Sequence, residues 1–219
     1  MEDLRKTELE FDRFVETLGY QRVSDDVGFS PIFENADYVN KENRITIELK
    51  IINKEYFENG GIIDSFKSVI IKPVSIDERG SGQYTFQLPE FNRENKHDNF
   101  EEPLRRILKK ANKQLKETRS YYWGDNESFG FLILAQVGLA MISPEITGQL
   151  VRKILNKEFH SIDGAITCTP YFSLIDPATM RRNPECVSVT KEINLKAKKL
   201  CIDIANKWIK FYENGGHKR

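Results

Sequence analysis

The chain has 219 residues, enough for one sizeable domain, and its 39% hydrophobic and 30% charged residues suit a globular protein with a real core. Its 33 basic and 33 acidic side chains cancel, which excludes a chain-wide basic footprint, so any nucleic-acid surface must be local. Three cysteines and three histidines are scattered without a CxxC or HxH pair, which argues against a disulfide framework or a Cys/His zinc site and for a reducing, cytoplasmic setting.

The N-terminus, "MEDLRKTELE", is charged where a secretory signal needs an apolar stretch. The spacing predicts a first helix over about residues 2–18 that stops at Gly19, with Leu4, Phe11, Val15 and Leu18 as its buried stripe. Glu8 falls on that stripe, where a carboxylate is costly unless paired. Two readings stand: Glu8 reaches solvent from the end of the stripe, or it points at a site shared with Glu48. Two strands follow, around 32–39 and 44–52, joined by "NKEN". A polar stretch with Gly and Pro, about 54–100, reads as an insertion or lid. A helix then begins near Glu101–Pro103 and runs through "LRRILKKANKQLKETR", with Leu104, Leu108, Ala111 and Leu115 inward. "FGFLILAQVGLAMI" (129–142) reads as a central buried strand leading into a loop; it is too short to span a bilayer, so no membrane partner is expected. "SPEITGQLVRKILNKE" is a helix with Ser143 as N-cap and Pro144 at its first position. "SIDGAITCTPYFSLI" reads as a strand, and a last helix ends at Gly215–Gly216. This order belongs to an α/β fold bordering on α+β: a single domain over 1–219 built on a central mixed sheet flanked by helices.

The stretch "ADYVNKENRITIELK" (36–50) carries the chemistry. Side chains alternate along a strand, so Ile45, Ile47, Leu49 and Ile51 share one face and Thr46, Glu48 and Lys50 the other. A turn of two or four residues pairs Val39 with Arg44 and sets Asp37 opposite Thr46, on the polar face and diagonal to Glu48. A three-residue turn would flip Asp37 to the apolar face. Two carboxylates that close suit a hard divalent cation, Mg²⁺ or Mn²⁺, which takes one or two carboxylates and fills its octahedron with waters and phosphate oxygens. Lys50 can then position a water or stabilise charge developing on phosphate. A surface ion-pair cluster on a sheet is the plainer alternative.

Asp37 followed by Glu48-Leu49-Lys50 resembles the PD-(D/E)XK nuclease superfamily, the restriction-endonuclease-like fold, whose pattern is an acid on the second core strand and Glu-x-Lys on the third after an initial helix. Ala36 stands where the family name has proline. The resemblance covers about residues 1–140. It implies a Mg²⁺-dependent endonuclease in which Asp37 and Glu48 hold the metal and Lys50 assists the attacking water. It also implies that Glu8 adds a ligand and that Gln114 serves as the glutamine some members carry on the following helix; a solvated helix position is the alternative for Gln114. DNA is the expected substrate ahead of RNA, in restriction or anti-phage defence, mobile-element processing or repair, with a homodimer or a partner protein in a defence complex as further partners. The alternatives are a catalytically silent binding module of the same fold, or a hydrolase of RNA or nucleotides.

Between Pro103 and Arg119 lie Arg105, Arg106, Lys109, Lys110, Lys113, Lys116 and Arg119 against one acid, Glu117. Such a helix either contacts a phosphate backbone or is a solvated face. "YYWG" (121–124) after it either stacks on unpaired bases or packs over a core edge. No P-loop, Rossmann glycines or Ser/His/Asp signature is present.

Overall fold

The computed structural model describes residues 2–28, 31–53, 97–124, 127–137, 144–169, 185–191 and 194–215. The elements in chain order are α1 (Glu2–Thr17), β1 (Gln21–Arg22), α2 (Val23–Val27), β2 (Tyr38–Asn40), β3 (Ile45–Asn53), α3 (His97–Trp123), β4 (Phe129–Val137), α4 (Pro144–Leu155), β5 (Gly164–Thr169), β6 (Glu185–Thr190) and α5 (Leu195–Glu213). Met1–Lys54 with Leu104–Arg219 form one compact unit and Glu55–Pro103 a second. The insertion expected at about 54–100 lies, apart from the start of α3, outside the described residues.

The strands form one mixed six-stranded sheet in the order β1-β2-β3-β4-β5-β6, so the fold is α/β. β1, β2 and β3 are antiparallel, β3, β4 and β5 run parallel, and β6 closes the far edge antiparallel to β5. Parallel neighbours need crossovers, supplied here by α3 and α4. Both steps move across the sheet in the same direction, so right-handed connections put both helices on the same face. α1 and α5 cover the other. On that second face Phe11 and Phe14 of α1 meet Ile45, Ile47, Leu49, Phe131 and Ile133 of the sheet and Trp208 of α5. The Trp208 indole stacks on Phe11 at 4.2 Å. All of β4 is buried, as a strand covered by helices on both sides must be, which explains a run that is apolar but for Gln136.

α1 ends where expected, with Gly19 at φ 75°, a conformation only glycine adopts without strain. The hairpin differs in register. Val39 pairs with Thr46 and Asn40 with Ile45, so the four-residue turn is 41–44 and the pairing is displaced by two residues. An even displacement keeps every side chain on its face. The expected strand at 32–39 shrinks to Tyr38–Asn40; residues 31–37 are not in the sheet. α3 starts ahead of the expected Glu101–Pro103 boundary, carries Pro103 within it, and absorbs Tyr121, Tyr122 and Trp123. β1 and β6 were not foreseen; "ECVSVT" alternates with β-branched residues and is the signal for β6.

Arg119, counted above among the cations of α3, turns inward. Its guanidinium donates to Ser128 Oγ (2.9 Å), the Ser128 carbonyl (2.5 Å), the Ser161 carbonyl (3.1 Å) and Asp163 Oδ2 (3.0 Å). Asp163 Oδ2 also accepts from Gly130 N–H at 2.8 Å, so one cluster ties α3 to the starts of β4 and β5. A Cβ on Gly130 would stand 2.5 Å from the Ser161 carbonyl oxygen, a backbone atom that cannot swing away. Gly130→Ala is therefore expected to cost about 1–3 kcal/mol through overpacking, read as a lower urea midpoint at unchanged slope.

Candidate functional site

β2 and β3 part at Asp37, one residue ahead of β2. With Tyr38 paired to Ile47, Glu48 is the residue opposite Asp37, directly rather than diagonally as the expected register had it. No ladder bonds join the two; their side chains replace them. Asp37 N–H donates to Glu48 Oε2 at 3.2 Å, and Leu49 N–H donates to Asp37 Oδ2 at 2.7 Å. Each carboxylate thus caps the backbone of the other strand, which fixes the two acids side by side. Lys50, two residues along the same face, donates its ammonium to Glu48 Oε1.

The polar face is not solvated. Thr46 and Glu48 are both 0% exposed, and Lys50 reaches the surface with 23% of its side chain. α3 packs over this face: a Cβ on Gly130, the partner of Thr46, would meet the Arg119 side chain. Burial and the charge of Asp37 push the Glu48 carboxyl up to about 8, against the pull of Lys50. Burial also raises Asp37, opposed by the Leu49 N–H and by Lys50 and Arg22. A pair of buried acids with one lysine is short of positive charge.

The segment before Asp37 is strapped to α3. Gln114 Nε2 donates to the Asn35 carbonyl at 2.9 Å, the Ala36 N–H donates to Thr118 Oγ1 at 2.7 Å, and the Glu34 N–H donates to Glu117 Oε2 at 2.7 Å. Gln114 is therefore no solvated position: its amide sits beside the site, and its Oε1 is buried with no hydrogen-bond partner. Thr118 and Glu117 do as much to place Asp37. Thr118, fully buried, continues the α3 stripe three positions after Leu115, and Glu117 flanks it; that spacing is the signal that could have pointed to them.

Glu8 corrects an expectation. It is exposed, because the inward arc of α1 is centred one position away, on Thr7, Glu10, Phe11, Phe14 and Val15. The acid that does enter the core is Glu10, which accepts from Tyr212 OH at 2.5 Å. Glu8 still lies close enough for its charge to raise Asp37. Between them sits an unforeseen cluster: Arg22 binds both oxygens of Asp12 (2.9 and 2.7 Å), and Tyr38 OH donates to Asp12 Oδ1 at 2.8 Å. Among the described residues, no three Asp, Glu, His or Cys side chains gather closely enough to hold a metal. The structure brings together Asp37, Glu48 and Lys50, with Gln114 adjoining.

The cations of α3 divide. Arg105 pairs with Glu158 and Lys113 with Glu34. Arg106, Lys109, Lys110 and Lys116 are exposed. Lys113, Lys110 and Lys50 together hold the Glu34 carboxyl below its ordinary value, so positive potential extends from the helix to the acid pair.

The buried carboxyl dictates a pH dependence. In the unfolded chain Glu48 loses its proton near 4.5, whereas the fold keeps it to about 8. Between those values the unfolded state binds fewer protons, so stability falls as pH rises. Without divalent ions, the melting temperature is expected to drop by several degrees from about pH 5 to pH 8, and Glu48→Gln to remove most of that slope. A flat profile in the wild type would mean that Glu48 is ionised throughout.

Comparison of the chain with protein-family models, with curated proteins and with solved structures gives no match in any of the three.

Proposed function

We propose that the chain is a metal-dependent nuclease that hydrolyses phosphodiester bonds, with DNA as the favoured substrate. The observation that carries this reading is the mutual capping of Asp37 and Glu48, which holds a half-buried and a fully buried carboxylate together with Lys50 beside them. An acid at the head of the second strand and Glu-x-Lys on the third, after an initial helix, is also the order that the resemblance to the PD-(D/E)XK superfamily implies.

The donor set suits Mg²⁺ or Mn²⁺. Asp37 and Glu48 offer carboxylate oxygens without thiolate or imidazole, and such ions accept one or two carboxylates when water and phosphate supply the rest. Two adjacent acids, Glu48 buried and Asp37 half-buried, are short of positive charge that a divalent ion would supply. The chemistry such an ion supplies is polarisation of the scissile phosphate and a lowered pKa for a bound water. Lys50 places a cation at the mouth of the acid pair, where it can donate to charge developing on a phosphate oxygen. The exposed Lys109, Lys110 and Lys116 give sequence-blind affinity for the strand. Arg105 and Lys113, each paired to an acid, would contribute less.

A second reading keeps the fold and the binding but not the chemistry. It is favoured by the complete burial of Glu48 behind Lys50, which must shift before the carboxylate can meet a ligand. Cleavage of plasmid, single-stranded DNA and RNA, assayed side by side with Mg²⁺ or Mn²⁺, separates the two. Wild-type protein is expected to cut DNA only with the ion present, and Glu48→Ala to lose on the order of 10²-fold or more of that rate with its fold intact. A wild type that binds DNA but never cuts it would establish the silent module. For the helix, Lys109→Gln, Lys110→Gln and Lys116→Gln combined should reduce the slope of log affinity against log salt by roughly 2–3, equally for all sequences. An unchanged slope would leave α3 merely solvated.

A further inference from the structure

The segment leading to Asp37 shows apolar surface that the core does not use. Ile32 is fully exposed, at 104% of its reference area, and Tyr121 keeps 57% of its surface open. Phe33 stacks on Tyr121 with ring centroids 4.7 Å apart and planes 23° from parallel. The two rings are held firmly. The Tyr122 ring packs edge-on against Tyr121 at 5.0 Å, and Tyr122 OH is anchored to Asp26 Oδ2 at 2.6 Å. The residue after Phe33, Glu34, is tied to α3 through its N–H, bound by Glu117, and its carboxylate, bound by Lys113. An aromatic pair with one ring exposed and the other half-buried, beside a bare isoleucine, marks a contact surface rather than packing.

Its surroundings say what it contacts. Lys109, Lys110 and Lys116 are exposed on the helix that carries Tyr121. Phe33 lies four positions before Asp37, so the backbone between them spans at most about 14 Å, roughly four nucleotides of a stacked strand. Cations that follow a backbone, with flat rings and an apolar tip beside them, are what unpaired bases need, whereas a duplex keeps its base faces stacked on one another. We infer that Ile32, Phe33 and Tyr121 form a stacking platform for unpaired bases, which makes single-stranded or locally melted nucleic acid the substrate class of the Asp37–Glu48 site. The term substrate rests on the nuclease reading; the binding does not.

Fluorescence anisotropy with the full chain, in buffer with a chelator so that nothing is cut, tests it on labelled oligo-dT, oligo-U and a blunt DNA duplex of the same length. Single strands should bind more tightly than the duplex. Tyr121→Ala should weaken single-strand binding by about 5- to 100-fold and leave the duplex unchanged, while Tyr121→Phe retains affinity. Ile32→Ser, at a fully exposed position, should show a smaller loss of the same selectivity. The oligo-dT and oligo-U arms decide which sugar the strand carries. Duplex affinity equal to single-strand affinity, or equal losses on both, overturns the platform. So does self-association that Ile32→Ser abolishes, which would make a second copy of the chain the occupant. A wild type that cuts duplex alone refutes the platform and keeps the nuclease; one that binds single strands as described but cuts nothing does the reverse.

Discussion

The five residues before β2 have no strand to pair with, and the position of Asp37 depends on how their backbone is satisfied instead. A backbone group left unpaired near the core costs as much as a lost hydrogen bond. Here Thr118, Gln114 and Glu117 of α3 take the groups of Ala36, Asn35 and Glu34, and Val23 N–H donates to the Asp37 carbonyl at 2.9 Å. Asp37 itself is held by Glu48 and the Leu49 amide. The segment is therefore clamped between a helix on one side and a strand on the other, and α3 cannot shift along its axis without dragging the acid with it. That explains why side chains from one helix matter both to the site and to the fold: Arg119 sets the helix against β4 and β5, and Thr118 hangs Asp37 from it.

The clamp brings two acids into a place where acids are unwelcome. Desolvation alone would favour neutral carboxyls, and their mutual repulsion adds to it. Lys50 offsets part of this for Glu48, and the Leu49 N–H does so for Asp37. A fold selected only for stability would place apolar side chains here, since a buried ion pair seldom outperforms a hydrophobic one of similar volume. Perturbed carboxyls in contact, at the seam where two strands separate, are the arrangement that binding sites use. The surrounding charges have opposite senses: Glu8 on one flank raises Asp37, while Arg22, fixed by Asp12, lowers it.

How much of this was written in the sequence varies with the kind of signal. Strand alternation put Asp37, Glu48 and Lys50 on one face, and that assignment survives a two-residue error in register because the period of a strand is two. Buried β4 and the ends of α1 and α5 were equally plain: a long apolar run, Gly19 after the first helix, and Gly215, at φ 76°, after the last. Helix facing was less secure. A stripe read from Leu4, Phe11, Val15 and Leu18 tolerates a rotation of one position, enough to carry Glu8 from the interior to the surface. Segment 31–37 was harder still. It docks on α3 through its backbone, and a contact between residues about 80 positions apart leaves no local pattern.

The two faces of the sheet divide the labour. The face under α1 and α5 is closed mainly by rings, Trp208 on Phe11 with Phe14 and Phe131 nearby, and Glu10 enters it bound to Tyr212 OH. The face under α3 and α4 carries Thr46, Glu48, Gln136 and Thr167, each buried and each engaged through a specific polar contact. Apolar packing is non-directional and tolerates small displacements, whereas hydrogen bonds across a buried polar face fix distances and angles. Rigidity on the first face therefore allows exactness on the second. The carboxylates sit on the face whose geometry is specified bond by bond, and the basic side of α3 opens from there to solvent.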